Sequence, residues 1–155
     1  MLKVDRQAKL QRGAARRYFT LAEANRSLVL VRRVVADVVE HYARMYDLQE
    51  AIETAQGRGA YDRTEAAQRE LVEAAKRLHS YAAELDRVGV DLKDWAAGIV
   101  DFPCLLDGRE VCLSWRHGQT RIEQWHETGQ DNSARHVTGE MFQDATATAP
   151  PGATK

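Results

Sequence analysis

Residues 20–54 read TLAEANRSLVLVRRVVADVVEHYARMYDLQEAIET, thirty-five positions without a glycine or a proline. Leu21, Ala24, Leu28, Val31, Val35, Val38, Tyr42 and Met45 recur at alternating steps of three and four. That spacing predicts one long helix with a heptad-like apolar seam. Thr20 followed three residues later by Glu23 is a capping box, in which hydroxyl and carboxylate each satisfy a backbone N–H left over at the helix start. At about 1.5 Å per residue the helix would run roughly 50 Å.

Working outward, residues 64–88 predict a second helix, with Leu71, Ala75, Leu78, Tyr81 or Ala82, Leu85 and Val88 as its seam. Gly89 stands where a left-handed C-terminal cap belongs. Gly57 and Gly59 lie between the helices, so the two should fold back as an antiparallel hairpin. Matching the seams layers Val35 with Leu85, Val38 with Ala82 and Tyr42 with Leu78, and sets His41 level with His79. So long a hairpin has more apolar edge than a small sheet can cover. Association with a second copy into a four-helix, coiled-coil-like arrangement is therefore expected, giving a homodimer.

After Gly89 the period changes. Ile99 to Leu106 leads into Asp107-Gly108, a dipeptide suited to a two-residue hairpin turn, and Arg109 to Trp115 follows. A second turn at His117-Gly118 and a strand over Arg121 to Glu127 complete a three-stranded antiparallel meander. With two-residue turns, Leu106 faces Arg109, Cys104 faces Val111 and Phe102 faces Leu113. This register puts Phe102, Cys104, Leu106, Val111, Leu113, Trp115 and Ile122 on the helix side. Asp101, Glu110, Cys112, Ser114, Arg121, Glu123 and Trp125 fall on the other. Cys104 and Cys112 then lie on opposite faces and should not form a disulfide. The fold class is α+β: a long helical hairpin packed on a small meander.

The 155 residues carry Lys+Arg 22 and Asp+Glu 23, with 44% hydrophobic and 29% charged residues, an ordinary soluble composition. No apolar run of membrane-spanning length occurs, and the basic start has no apolar h-region of a secretory signal. Two cysteines do not make a disulfide framework, and a cytoplasmic setting is expected. Lys3, Arg6, Lys9, Arg12, Arg16 and Arg17 oppose Asp5 alone, so residues 1–17 read as a flexible basic arm that fits an acidic or nucleic-acid partner. Residues 18–138 read as one α+β domain. Residues 139–155, ending in ATATAPPGATK, read as a disordered tail. There is no phosphate loop, no Gly-x-Ser-x-Gly elbow, no Cys-x-x-Cys and no dinucleotide fingerprint. Arg32, Arg33 and Arg44 are interleaved with acids, so no basic recognition helix is present.

Several strings occur in a fixed order: Tyr18-Phe19-Thr20 with Glu23-Ala24-Asn25, then Gly89-Val90 with Asp91 and Lys93, Val100-Asp101-Phe102-Pro103, Gly108-Arg109-Glu110-Val111, Trp115-Arg116 and Trp125-His126-Glu127. In this order and spacing the chain resembles, over roughly residues 18–135, a bacterial and archaeal family of small uncharacterised proteins, domain-of-unknown-function family 2203. The resemblance implies no particular activity. It departs after Glu127, where the family tends to an acidic residue, Gly-Phe and then Arg, and this chain has Thr128-Gly129-Gln130-Asp131-Asn132.

Three groups of residues can carry chemistry. His126 at the end of the third strand is a candidate metal ligand or general base, and the simple register sets it opposite Arg109. Its neighbour Glu127 points to the other face and cannot readily share one ion with it. On the sheet's polar face Asp101, Cys112 and Glu123 converge, Cys112 being the half-exposed member. His41 and His79 form half of a metal site between facing helices, without a Glu-x-x-His motif to complete it. Two functions follow. One is a self-associating interaction or scaffold module of the cytosol, favoured by the seam. The other is a small metal-binding protein or metal-dependent hydrolytic enzyme centred on His126, with Asp101, Glu23, Asn25 and Arg109 as candidate catalytic neighbours and a divalent metal as cofactor. The sequence leaves open whether the chain is an enzyme.

Overall fold

The computed structural model of the chain describes residues 16–129 and 136–138. Helix α1 runs Leu21–Gly57, a single 3-10 turn covers Tyr61–Arg63, and α2 runs Glu65–Val88. Strands β1 (Asp91–Asp94), β2 (Ile99–Leu106), β3 (Arg109–Arg116), β4 (Gln124–Glu127) and β5 (His136–Val137) follow. They form one antiparallel sheet in the order β1-β2-β3-β4-β5. The α+β class and the hairpin are as expected; among the described residues the sheet has five strands rather than three. β1 is four residues of mixed polarity (DLKD) and β5 only two, too short to carry a period.

The Thr20 hydroxyl accepts the Glu23 N–H at 3.1 Å and so caps α1. Gly89, at φ 99°, closes α2 in the left-handed conformation. Along the hairpin Val31, Val35, Val38, Leu48, Ile52, Ala74, Leu78 and Leu85 are buried. Ala74, not Ala75, takes the inward place on α2, and Ala75 is exposed. The sheet packs against the end of the hairpin where α1 begins and α2 finishes. There Phe19, Ala24, Leu28, Val31, Val34, Val35 and Leu85 form one core with Val100, Phe102, Leu106, Val111, Leu113, Trp115 and Trp125. The far end of the hairpin buries Leu48, Ile52, Ala74 and Leu78 outside that core.

The β2–β3 register is the expected one: Phe102 opposite Leu113, Cys104 opposite Val111 and Leu106 opposite Arg109, turning through Asp107 at φ 52° and Gly108 at φ 77°. The β3–β4 register is not. Cys112 pairs with His126 and Leu113 with Trp125, three residues away from the two-residue-turn expectation. An odd shift exchanges the faces of the strand. Trp125 therefore joins the core instead of the polar face, His126 sits beside Cys112 rather than opposite Arg109, and Glu123 leaves the sheet for an exposed ion pair with Arg121 at 3.6 Å.

The cause is the path of residues 117–123. The Trp115 indole N–H donates to the Gln119 carbonyl at 3.0 Å, and the Gln119 side-chain oxygen accepts the Arg116 N–H at 2.9 Å. Arg32 and Asn25 of α1 then hold the segment from beneath. Arg32 donates to the Thr120 carbonyl at 3.0 Å, and the Asn25 side chain accepts the Ile122 N–H at 2.9 Å. Ile122 plugs the core from this connection rather than from a strand.

Among the described residues no helix is long and apolar enough to cross a membrane. Residues 1–15 of the basic arm and the tail 139–155 lie outside the described residues. Arg16 and Arg17 lie inside them and are engaged. Arg16 pairs with Asp91 at 3.2 Å and Glu110 at 2.9 Å, and Arg17 stacks over the Phe19 ring at 4.3 Å while donating to the Val88 carbonyl.

Candidate functional site

Alternation along β2, β3 and β4 places Asp101, Cys112, Ser114 and His126 on the face turned away from the helices. β2 and β4 are separated by β3, hence by about 9.5 Å of backbone at the usual strand spacing. Asp101 and His126 meet above β3 because its intervening residues, Cys112 and Ser114, are short. The His126 Nε2 lies 2.9 Å from the Asp101 Oδ2, and both side chains are almost completely buried, at 5% and 1% exposure.

The other ring nitrogen fixes the imidazole. His126 Nδ1 stands 2.9 Å from the Glu127 carbonyl oxygen, which only accepts, so Nδ1 carries a hydrogen. Nε2 and the Asp101 carboxyl then share a single proton, whichever atom holds it. Donation from one nitrogen to a backbone carbonyl is the arrangement that orients a histidine to coordinate through the other.

Cys112 is the third member. One ligand atom each of Asp101, Cys112 and His126 lie within 4.8 Å of one another, and all three residues are buried. Cys112 was expected to be half-exposed; it is buried, at 5%. Burial first, then the charge of Asp101, pushes its thiol up, while the Thr128 hydroxyl, Lys93 and Arg16 pull the other way. The thiol is therefore protonated near neutrality unless a cation displaces the proton. Arg16 rims this face, bridging Asp91 on β1 to Glu110 on β3, and the Tyr18 hydroxyl donates to Glu110 at 3.2 Å.

The backbone beneath the site tolerates a proline for a definite reason. A strand residue's N–H and C=O project to the same side, and the Pro103 carbonyl accepts the Phe19 N–H at 2.7 Å on the outer edge of β2. The missing N–H of Pro103 thus falls at that edge, beyond the end of β1, and no bond to β3 is lost.

The remaining sequence candidates lie elsewhere. Glu23 and Asn25 are on α1, on the helix side of the sheet. Asn25 holds the Ile122 N–H, and Glu23 is close enough to Cys104 to help raise its thiol. Arg109 pairs with Glu127 at 2.9 Å at the end of the sheet, and Glu127 shares the face of Val111. His41 Nδ1 lies 2.8 Å from the Asp37 carbonyl of its own helix and its ring rests on Tyr81, whereas His79 is exposed. The structure thus keeps Asp101 and Cys112 together and puts His126 in the place expected of Glu123. Cys104 and Cys112, on opposite faces, are both free.

The model of the uncharacterised conserved protein family DUF2203 matches residues 17–137, and the chain belongs to that family. No curated protein and no solved structure matches the chain.

Proposed function

For this member of the DUF2203 family we propose a metal-binding role: Asp101, Cys112 and His126 together take one divalent transition-metal ion, with zinc the best fit. The observation that carries this reading is the convergence of three chemically different ligand atoms within 4.8 Å in a buried place. One thiolate, one imidazole and one carboxylate suit zinc's borderline softness, with bonds of about 2.3, 2.0 and 2.1 Å. Two protons would leave on binding, one from the Cys112 thiol and the one shared by His126 and Asp101. Thiolate, carboxylate and a dipositive ion then sum to zero charge, which limits the cost of holding the ion among buried residues. Three protein ligands with a fourth position open is the donor count of hydrolytic rather than purely structural zinc centres. Asp101, Cys112 and His126 are the metal ligands in this reading; Glu23, Asn25 and Arg109 support the scaffold around them.

The test is elemental analysis with native mass spectrometry on protein prepared without a histidine tag or chelator and then offered zinc or cobalt. One ion per chain is expected, falling below about a tenth in Cys112→Ala and His126→Gln, with His41→Ala and His79→Ala unchanged. Cobalt bound through Cys112 would also show a thiolate charge-transfer band. Protein that folds by circular dichroism but takes up no metal, or keeps it in both ligand variants, overturns the reading.

A second reading, self-association as an interaction or scaffold module, is supported by apolar side chains left in solvent on the hairpin. Val29 and Leu30 of α1 are 73% and 45% exposed, and Val72 of α2 is 54% exposed. A homodimer through the helices would cover them, and light scattering on Val29→Glu/Val72→Glu against the parent chain would test it by the loss of a dimer mass. Two free thiols on opposite faces fit a reducing, cytoplasmic compartment. An acidic or nucleic-acid partner for the arm would engage residues 1–15, since Arg16 and Arg17 are taken up by the fold.

A further inference from the structure

Ser114 stands in the middle of the polar face. It pairs with Asp101 on β2 and with Gln124 on β4, and lies two residues from Cys112 on the same side of β3. Directly opposed residues on one sheet face have Cβ atoms about 4.5–5.5 Å apart, so the Ser114 hydroxyl is a neighbour of the Asp101 carboxylate. Ser114 is 2% exposed, and its Oγ has no hydrogen-bond partner among the described residues.

A buried hydroxyl without a partner is uncommon in a folded protein and needs a reason, a bound ion or small molecule among them. Thr128 shows the contrast. On the same strand pair its hydroxyl donates to the Glu110 carbonyl at 3.0 Å, although it is far less enclosed. Nor does Ser114 fill an apolar need, since the adjoining core face is already occupied by Leu113 and Trp115. Its hydroxyl belongs to the same sheet face as Asp101, Cys112 and His126.

We propose that Ser114 holds the exogenous fourth ligand of the metal centre, donating its hydroxyl hydrogen to a small anion bound to the cation. This rests on the metal reading above and deepens it: the centre is one that admits a ligand, not a closed structural site. The class of ligand follows from the enclosure. With Asp101 at 0% and Ser114 at 2% exposure, the ligand we assign is a small anion that carries a hydrogen-bond acceptor, of the size of azide, formate or bicarbonate. The hydroxyl can donate while accepting in turn, so it also tolerates water in the same place. Ser114 here positions the ligand and is not itself a ligand of the ion.

Azide titration of the cobalt-loaded full chain, followed by visible absorption, tests the assignment. In the parent protein azide should shift the ligand-field bands saturably. Ser114→Ala should keep the cobalt and its thiolate charge-transfer band but bind azide about tenfold or more weakly, the loss expected of a charge-assisted hydrogen bond. Ser114→Thr, which retains the hydroxyl, should bind azide within about threefold of the parent. Equal azide affinity in the parent and Ser114→Ala overturns the proposal, as does a parent spectrum that saturating azide leaves unchanged. A protein with no thiolate–cobalt band before azide is added fails one step earlier, at the metal reading itself, and takes this inference with it.

Discussion

The side-chain oxygen of Asn25, in the second turn of α1, accepts the backbone N–H of Ile122 at 2.9 Å, ninety-seven residues along the chain. This contact fixes where β4 begins, and so which face His126 occupies. Removing it strands a half-buried N–H. Asn25→Ala should lower stability by about 1–3 kcal/mol in urea unfolding, whereas Asn25→Asp, which still offers an oxygen, should lose less. Because the register of β4 depends on it, metal uptake should fall in Asn25→Ala as well. Unchanged uptake would separate the loop from the site.

Gly98 has no room for a side chain. At φ +71° an added Cβ would stand 2.7 Å from the His117 Cβ and 2.8 Å from methyl groups of both Val35 and Val39. Left-handed backbone and overpacking against α1 act together, so Gly98→Ala should cost about 3 kcal/mol or more. Gly118, also at positive φ but with nothing within 4 Å, is the control: Gly118→Ala should cost only about 1–2 kcal/mol. Equal losses at the two positions would show that the β1–β2 turn does not press on α1.

The helices and the β2–β3 hairpin were legible because each was written locally. The three-four spacing from Leu21 to Met45, Thr20 at the start of α1, Gly89 at the end of α2 and the Asp107-Gly108 turn all act over a few residues. The third strand was not, because His117-Gly118 looks like a tight hairpin while its true geometry depends on Gln119 folding back on Arg116 and on Asn25 and Arg32 reaching from α1. Such distant bonds leave no period in the sequence. The consequence for the site was specific. The sequence puts Asp101 and Cys112 on one face and points to His126, yet the odd shift in β4 is what joins them and removes Glu123. Ser114 was assigned to the right face, but only its missing partner distinguishes it from any other strand serine.

Cys104 offers a pH readout on the face of the sheet opposite His126. Burial above all, with Cys112 and Glu23 adding to it, pushes its thiol up to about 11 from an ordinary 9.0. At pH 8 the folded protein should therefore alkylate at Cys104 about a hundredfold more slowly than the unfolded chain, reading each site by peptide mass. The folded state holds this proton more tightly than the unfolded state, so the stabilisation is complete below about pH 9 and is lost as pH rises toward 11. The urea midpoint should fall across that window in the parent and fall less in Cys104→Ala, after allowing for the smaller side chain. A parent and variant that decline in parallel would show that Cys104 does not titrate there.

The Asp101–His126 pair can be weighed without any metal. In chelator-treated protein each partner stabilises the other's buried polar atoms, with 2.9 Å between Nε2 and Oδ2 and the ring held from behind by the Glu127 carbonyl. Asp101→Asn should cost about 3–5 kcal/mol, as breaking a buried charge-sharing pair does, and His126→Gln a comparable amount. The double variant should then lose less than the two single losses together, with a coupling of about 1–3 kcal/mol. Cys112→Ser in the same background should leave that coupling intact, because the thiol lies beside the shared proton rather than within it. A coupling below about 0.5 kcal/mol would mean that the two residues act independently, and that the pair is held by the sheet rather than by its own proton.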